Sequence, residues 1–432
     1  MLDIKFIREN LDLVKQVCEK KQVNVDIDEL LNIDKEKRRI LKMNEDLRAT
    51  RNELTKKISE QKSPELLEQA IALKGEISKN EEELKKIREK HKKLLYLVPN
   101  LLASDVPDGK DENDNKVLRK WGKPTKFGFK PKDHMKLGEA LDIIDTKTSA
   151  KVSGARFNYL KREAVFLQFA LVQFAFDTLS SRKIIGKIAK SVNNPFDTPF
   201  VPVIPPVIAK AEVMKKLDRF DPIEDRYYLE KDDALLVGSA EHTLGSMHMD
   251  EILSEKNLPI RYLGYSTSFR REAGTYGKDT SGILRRHQFD KLEMESFGLS
   301  EYGMLEQKLM TAIQEYLMQQ LKIPYQVVII CTGDMGKPDY RQIDIEAWMP
   351  GQGKYRETHT SDYMTDYQAR RLNTKVRRKD GKTEFVHMND ATCFAIGRTI
   401  IAILENYQQK DGSVKMPKVL HKYLGFKKIN KR

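Results

Sequence analysis

Residues 28–97 constrain the fold more than any other part of the chain. Leu66, Ala70, Leu73, Ile77, Asn80, Leu84, Ile87, His91 and Leu94 alternate by four and three residues, the spacing of a coiled-coil seam. Before them Ile40, Leu47 and Leu54 recur by seven. The break KSPE (62–65) puts Pro64 where a new helix can start, because its missing N–H costs nothing in a first turn. Two helices joined by so short a link must run antiparallel. At about 33 residues and about 1.5 Å per residue, each spans about 50 Å, the length of an arm rather than a core element. The first helix carries KEKRR (35–39), Lys42, Arg48, Arg51, Lys56 and Lys57. That face fits either a solvated coiled-coil surface or one that tracks a phosphate backbone.

The whole chain has 432 residues, too many for one small core, so two or three domains are expected. Its 77 Lys and Arg against 64 Asp and Glu leave a formal charge of +13, which favours a polyanionic partner. Three scattered cysteines, Cys18, Cys331 and Cys393, cannot make a disulfide framework or a four-thiolate zinc site, and they suit a reducing cytoplasm. The most apolar run, AVFLQFALVQFAF (164–176), is broken by Gln168 and Gln173, so no membrane span is expected. The start, MLDIKFIREN, has no apolar stretch of the secretory kind.

Heptad spacing stops at VPNLLASDVPDGKDENDN (98–115), which reads as a linker. Beyond it a helix is expected at about 161–180, with Ala164, Leu167, Leu171, Phe174 and Leu179 as its apolar stripe. A closing helix is expected at about 396–408, and RQIDIEAWM (341–349) alternates like a strand. Strands separated by long connections indicate an antiparallel sheet with helices packed on it, an α+β class.

The segment SFRREAGTYGKDTSGILRRHQFDKLEME (268–295) is the chemical centre of the sequence. Read as strands 268–272 and 285–295, it puts Arg270 and Glu272 on one face, and Arg285, His287, Phe289, Lys291, Glu293 and Glu295 on one face of the partner. The connection 273–284 is too long for a tight turn and is expected to be exposed and mobile. Arginine forks hold phosphate oxygens, a flat ring stacks on a base and carboxylates pair with an ammonium, so the face suits a nucleotide beside an amine. A surface hairpin laced with cross-strand ion pairs has the same composition. GTYGKDT is not a phosphate-binding P-loop, because Asp279 follows Lys278 and only two residues separate its glycines.

Several motifs in order give the chain its resemblance. FRRE (269–272) and RRHQFDKLEM (285–294), VIPPVI (203–208) after a helix following SGARF (153–157), and GRTIIAILE (397–405) resemble the three motifs of the seryl-tRNA synthetase family of class II aminoacyl-tRNA synthetases. The resemblance runs from MLDIKFIRENLDLV to IGRTIIAILENYQ. It implies a tRNA-binding domain at 1–110 with a coiled-coil arm at about 28–97, and a class II catalytic domain at 111–432. It further implies ATP-dependent activation of L-serine, transfer to serine tRNA, and a homodimer with Pro206 near its interface. Arg270 is then expected on the α-phosphate, Arg398 on the γ-phosphate, Phe289 on the adenine face and Glu272 on its edge. Arg271, Arg285, Thr358 and His359 complete the ATP set, and Glu357 and Thr360 are the Mg2+ positions. Ser239, Glu241, Arg270, Glu293 and Thr392 are implied for serine, and the connection 273–284 for the tRNA acceptor end.

Four places depart from the family pattern. SAE (239–241) stands for a Thr-x-Glu motif, NDAT (389–392) puts Asp390 where an Asn is usual, ETHT (357–360) replaces EISS, and SDYMTDYQARR (361–371) lacks the usual Cys-Ser-Asn. The spacing of His242 and His248 matches no common zinc pattern, so no metal beyond Mg2+ is expected. Two other functions are open to such a chain: a catalytically silent relative that binds RNA or supports assembly, and a ligase loading a carrier protein. Retention of Arg270, Glu272, Phe289, Glu357 and Arg398 argues against the first, and the long arm against the second.

Overall fold

A computed structural model describes residues 1–61, 63–272 and 282–431. Contacts divide the chain into two compact units, Met1–Leu101 and Leu102–Arg432.

In the first unit, short helices Ile4–Glu9 and Leu11–Lys20 precede the two long ones, α1 (Ile27–Gln61, 35 residues) and α2 (Pro64–Leu97, 34 residues). Asp28 and Glu29 in the first turn of α1 and Pro64 at the start of α2 are helix-opening residues. The seam is fully buried only towards one end, at Ile33, Ile40, Ile77 and Leu84, while Leu47, Leu54, Leu66 and Leu73 stay half-buried. Antiparallel pairing is fixed by polar contacts between the helices. Asn80 Nδ2 donates to Asn44 Oδ1 at 2.9 Å inside the seam, and Arg48 and Lys90 pair with Glu81 and Glu29, each at 2.6 Å. A polar knot around the buried Asp34 carboxylate sits at the end away from the link between the helices, where Asp34 accepts from Arg8 (3.0 Å) and Arg38 (2.9 Å) and lies 3.4 Å from His91.

The second unit is built on an eight-stranded sheet. Its strands in chain order are β1 (Lys116–Trp121), β2 (Val201–Val203), β3 (Ile260–Phe269), β4 (Gln288–Gly298), β5 (Tyr325–Ile329), β6 (Arg341–Met349), β7 (Lys354–Thr365) and β8 (His387–Ala395). Their spatial order is β1-β5-β6-β7-β8-β4-β3-β2, with every pair antiparallel except β2–β3. One large core joins this sheet to α3 (Glu163–Leu179), α4 (Gly303–Gln320) and α5 (Ile396–Tyr407). The α3 stripe expected from the sequence, Ala164, Leu167, Leu171, Phe174 and Leu179, is buried in it. Among the described residues no single helix is long and apolar enough to cross a membrane. All three cysteines are free and buried.

The 268–295 hairpin differs in detail from its expected form. β3 stops at Phe269 and β4 begins at Gln288, so Arg270–Glu272 and Arg285–His287 flank the paired region instead of lying in it. Glu272 has φ +52°, a left-handed conformation that cannot continue a strand. Residues 273–281, most of the expected loop, lie outside the described residues.

Candidate active site

The mouth of the hairpin opens into a cleft of about 540 Å³ on one face of the sheet. Arg270, Glu272, Arg285, Phe289, Glu357, Thr358, Thr360, Glu241, Thr392 and Arg398 all line it, so residues from distant parts of the sequence converge there.

Backbone geometry aims these side chains. Arg270 keeps its place beyond β3 because its N–H donates to His287 O at 2.9 Å and its Nε to Gly238 O at 3.1 Å. Its guanidinium lies over the Phe289 ring, 5.3 Å from the centroid. Arg285 donates to Glu272 Oε2 at 2.7 Å, tying the two ends of the hairpin together. Arg398, in the first turn of α5, donates to Glu357 Oε1 at 2.6 Å and to Leu284 O at 3.4 Å. Burial would raise the Glu357 carboxyl, but Arg398, then Arg270 and Lys291, hold it below its usual range.

A register shift on β6–β7 decides which part of ETHT faces the cleft. Glu346 pairs with Glu357 and Ile345 with His359, which leaves Thr358 as the extra residue of a bulge. Glu357 and Thr358 therefore both reach the cleft, and alternation returns Thr360 and Asp362 to it. His359 goes to the other side, correcting its expected place in the ATP set. It is fully buried, its ring 6.0 Å from that of Phe394, and burial pushes its pKa down to about 3. Arg271 is corrected in the same way: it is exposed, does not line the cleft, donates to Arg226 O and covers the Tyr227 ring.

The end of the cleft around Glu241 is acidic. Glu241 opens the short helix Glu241–Leu244 and accepts from Arg219 Nε at 2.9 Å. Burial opposes its charge, yet Arg219 and His242 keep it well below the usual carboxylate range. This helix sits close on β3 because Gly264 faces it: a Cβ there would come within 2.6 Å of Leu244 and 3.2 Å of Ala240. Behind it, Ser239 and Glu293 do not line the cleft. They form its buried wall, with Ser239 Oγ donating to Glu293 Oε2 at 3.0 Å and Lys291 paired to Glu293. Oxygens of Glu241, Glu293 and Asp390 lie within 4.8 Å of one another. His242 and His248 are occupied separately, the first accepting from Gly238 N–H at 3.1 Å, the second joined to Glu251 and Tyr262. Burial pushes the His242 pKa down to about 4.

Sequence reasoning missed three residues here, Arg219, Asp344 and His134, and put Lys291 on the hairpin face without its role. Arg219 is the cation on Glu241, Lys291 the cation on Glu293, and Asp344 accepts from Thr360 at 2.6 Å. His134 reaches the cleft edge from elsewhere in the chain, its Nε2 accepting from Ile283 N–H at 3.2 Å while Nδ1 bonds Glu405 at 3.1 Å. The period of β4 placed Lys291 on its face; Arg219 and His134 carry no local pattern, and Asp344 lies in the alternating RQIDIEAWM with nothing to mark its role.

This arrangement matches known proteins over the entire chain. Residues 224–407 match the tRNA synthetase class II core domain (G, H, P, S and T), and residues 1–102 the seryl-tRNA synthetase N-terminal domain. The serine–tRNA ligase of Thermodesulfovibrio yellowstonii is 38% identical, across 98% of this chain and 99% of its own. The chain belongs to the seryl-tRNA synthetase family. Within that family, the Pyrococcus horikoshii seryl-tRNA synthetase crystallised with ATP superposes with a TM-score of 0.90 at 41% identity, covering 100% of both chains. The Naegleria fowleri cytoplasmic enzyme in complex with AMP superposes at 0.86 with 28% identity, covering 100% of this chain and 99% of that one. Seryl-tRNA synthetases thus supply both the helical arm and the class II sheet seen here.

Proposed function

We propose that the protein is a serine–tRNA ligase that binds ATP and L-serine in the cleft, forms seryl-adenylate with release of pyrophosphate, and transfers the seryl group to the 3′ end of serine tRNA. The observation that carries this reading is the convergence of Arg270, Phe289, Glu357 and Arg398 with the acidic Glu241 wall in one cleft. In the first step a serine carboxylate oxygen attacks the α-phosphorus. That nucleophile is already ionised and needs no base, so the task is to bring two anions together. Arg270, fixed from two directions, suits the α-phosphate and the serine carboxylate. Arg398 suits the γ-phosphate, Phe289 the adenine ring, and Glu241 and Thr392 the ammonium and hydroxyl of serine.

Mg2+ fits the remaining corner. Glu357, Thr360 and Asp344 offer hard oxygen donors, and burial followed by the charge of Glu357 raises the Asp344 carboxyl well above its usual range, a negative surplus that a divalent cation relieves. Bound there with ATP it would draw charge from the phosphate oxygens.

The arm is the tRNA-binding element of this reading, because α1 carries the exposed basic side chains Arg38, Arg39, Lys56 and Lys57. A homodimer is supported by large apolar side chains left in solvent on α3 and at β2: Phe166 (63% exposed), Phe169 (55%), Val201 (54%) and Ile204 (81%). The three free thiols suit a cytoplasmic setting.

ATP–pyrophosphate exchange measured across the twenty amino acids without tRNA tests the reading. Exchange with serine is expected, and its loss by at least about a hundredfold in Arg270→Ala with an unchanged circular-dichroism spectrum. Exchange with a different amino acid keeps the reaction class and overturns the specificity; ATP binding with no exchange favours a silent relative.

A further inference from the structure

A row of acidic side chains crosses the sheet from the cleft lining at Asp362 to Asp390 and Glu295 behind it. Glu295 on β4 stands directly opposite Asp390 on β8, and Asp390 directly opposite Asp362 on β7. Directly opposed residues of antiparallel strands share a face, with Cβ atoms about 5 Å apart. Glu295 and Asp390 are each 1% exposed, and one oxygen of each has no hydrogen-bond partner.

The nearby cations are already engaged. Glu241 has Arg219 and Glu293 has Lys291, whereas among the described residues neither Glu295 nor Asp390 forms an ion pair. The groups bearing on Asp390 are Glu293 and Glu295 from β4, Asp362 from β7, Glu241 and Asp339 on the cleft side, and Arg219. Buried carboxyls in that company cannot all be ionised, so the row must keep protons while nothing positive is bound.

We propose that Asp390 and Glu295 are positioning residues that share a proton behind the amino-acid subsite, and that the ammonium of the incoming serine displaces this proton into solvent. One carboxyl O–H is broken, its proton leaves to water, and the substrate's fixed positive charge takes over the compensation. No other bond changes. Burial and the carboxylates of Glu241 and Glu293 push Asp390 well above the usual range, and burial with Asp390 does the same to Glu295, which agrees with a held proton. An amide at position 390 has no such titrating proton to give.

The inference rests on the cleft being a serine-activating site, and the experiment separates the two. Calorimetric titration of the full chain with L-serine at pH 7, in buffers of low and high ionisation enthalpy, should report release of about one proton per serine. Asp390→Asn should bring the release towards zero, and Glu295→Gln should do the same by an independent route if the first variant folds poorly. Because a displaced proton competes with the ligand, the exchange KM for serine should fall as pH rises from 6 to 8, by up to about tenfold per unit, and this slope should flatten in both variants. A serine heat independent of buffer in the wild type, or equal proton release in wild type and both variants, overturns the proposal. A wild type that neither binds nor activates serine overturns instead the reading of the cleft beneath it.

Discussion

The arm and the cleft bury polar groups in opposite ways. In the arm, Asp34, Asn44, Asn80 and His91 lie inside the helix pair and each has a partner across it. Around the cleft, Glu293, Glu295, Asp362 and Asp390 are equally buried, yet each leaves an oxygen without one. Satisfied polar groups fix the register of a structure that is complete by itself. Unsatisfied ones mark a place finished by something else, here a substrate and its counter-charges.

The largest effect that separates the two regions comes from shortening the arm. Matched deletions from α1 and α2 between residues 40 and 85 should leave ATP–pyrophosphate exchange near wild type while lowering kcat/KM for tRNA charging by about a hundredfold or more. Equal loss in both assays would remove the division of labour.

Next in size is the polar knot. Asp34→Ala removes the acceptor for Arg8, Arg38 and His91, and the loss should cost about 1–2 kcal/mol in denaturant titrations of the arm transition, because Arg8 and Arg38 remain solvated when their buried acceptor is gone. A change under about 0.5 kcal/mol would mean that solvent already compensates these cations.

A smaller effect is a pH dependence. His242 and His359 have folded pKa values near 4 and 3, below the unfolded value of about 6.5. Each therefore contributes stability at neutral pH that is lost as pH falls from about 6.5 towards its folded value, with a limiting slope of about 1.4 kcal/mol per pH unit. The raised carboxyls of the acidic row act with the opposite sign, so the two classes must be separated by mutation. In His359→Gln the fall of Tm between pH 7 and 5 should be shallower than in the wild type; an identical slope would remove His359 as its source.

Smallest of all, Arg48→Ala should shift arm stability by no more than about 0.5 kcal/mol, because its pair with Glu81 is half exposed on both sides.

The same contrast explains what could be read in advance. The arm depends on contacts repeated along neighbouring turns, so Ile77, Asn80, Leu84 and His91 announced themselves by spacing alone, and all are buried. β6 and α3 were legible for the same reason, their periods being local. The cleft depends on residues far apart in the chain. Arg219 follows a short helix and carries no periodic signal, yet it is the cation on Glu241. His359 was included with the rest of ETHT through the motif resemblance, and the bulge at Thr358, which nothing in ETHT reports, turns it to the other side of the sheet. The motif resemblance brought Arg270, Phe289, Glu357 and Arg398 together, whereas the acidic row needed the pairing of β4, β8 and β7 to become visible.

The buried cysteines have a practical consequence. Cys18 is pushed up to about 11 and Cys393 well above its usual range, both first by burial, and Cys331 is enclosed with its Sγ 3.3 Å from Asp111 O. Maleimides and other thiolate-seeking reagents should therefore find almost no target on the folded chain at neutral pH. A single cysteine engineered at the far end of the arm would be a selective fluorophore handle in an otherwise wild-type background, and slow labelling of the native three would time the openings that expose them.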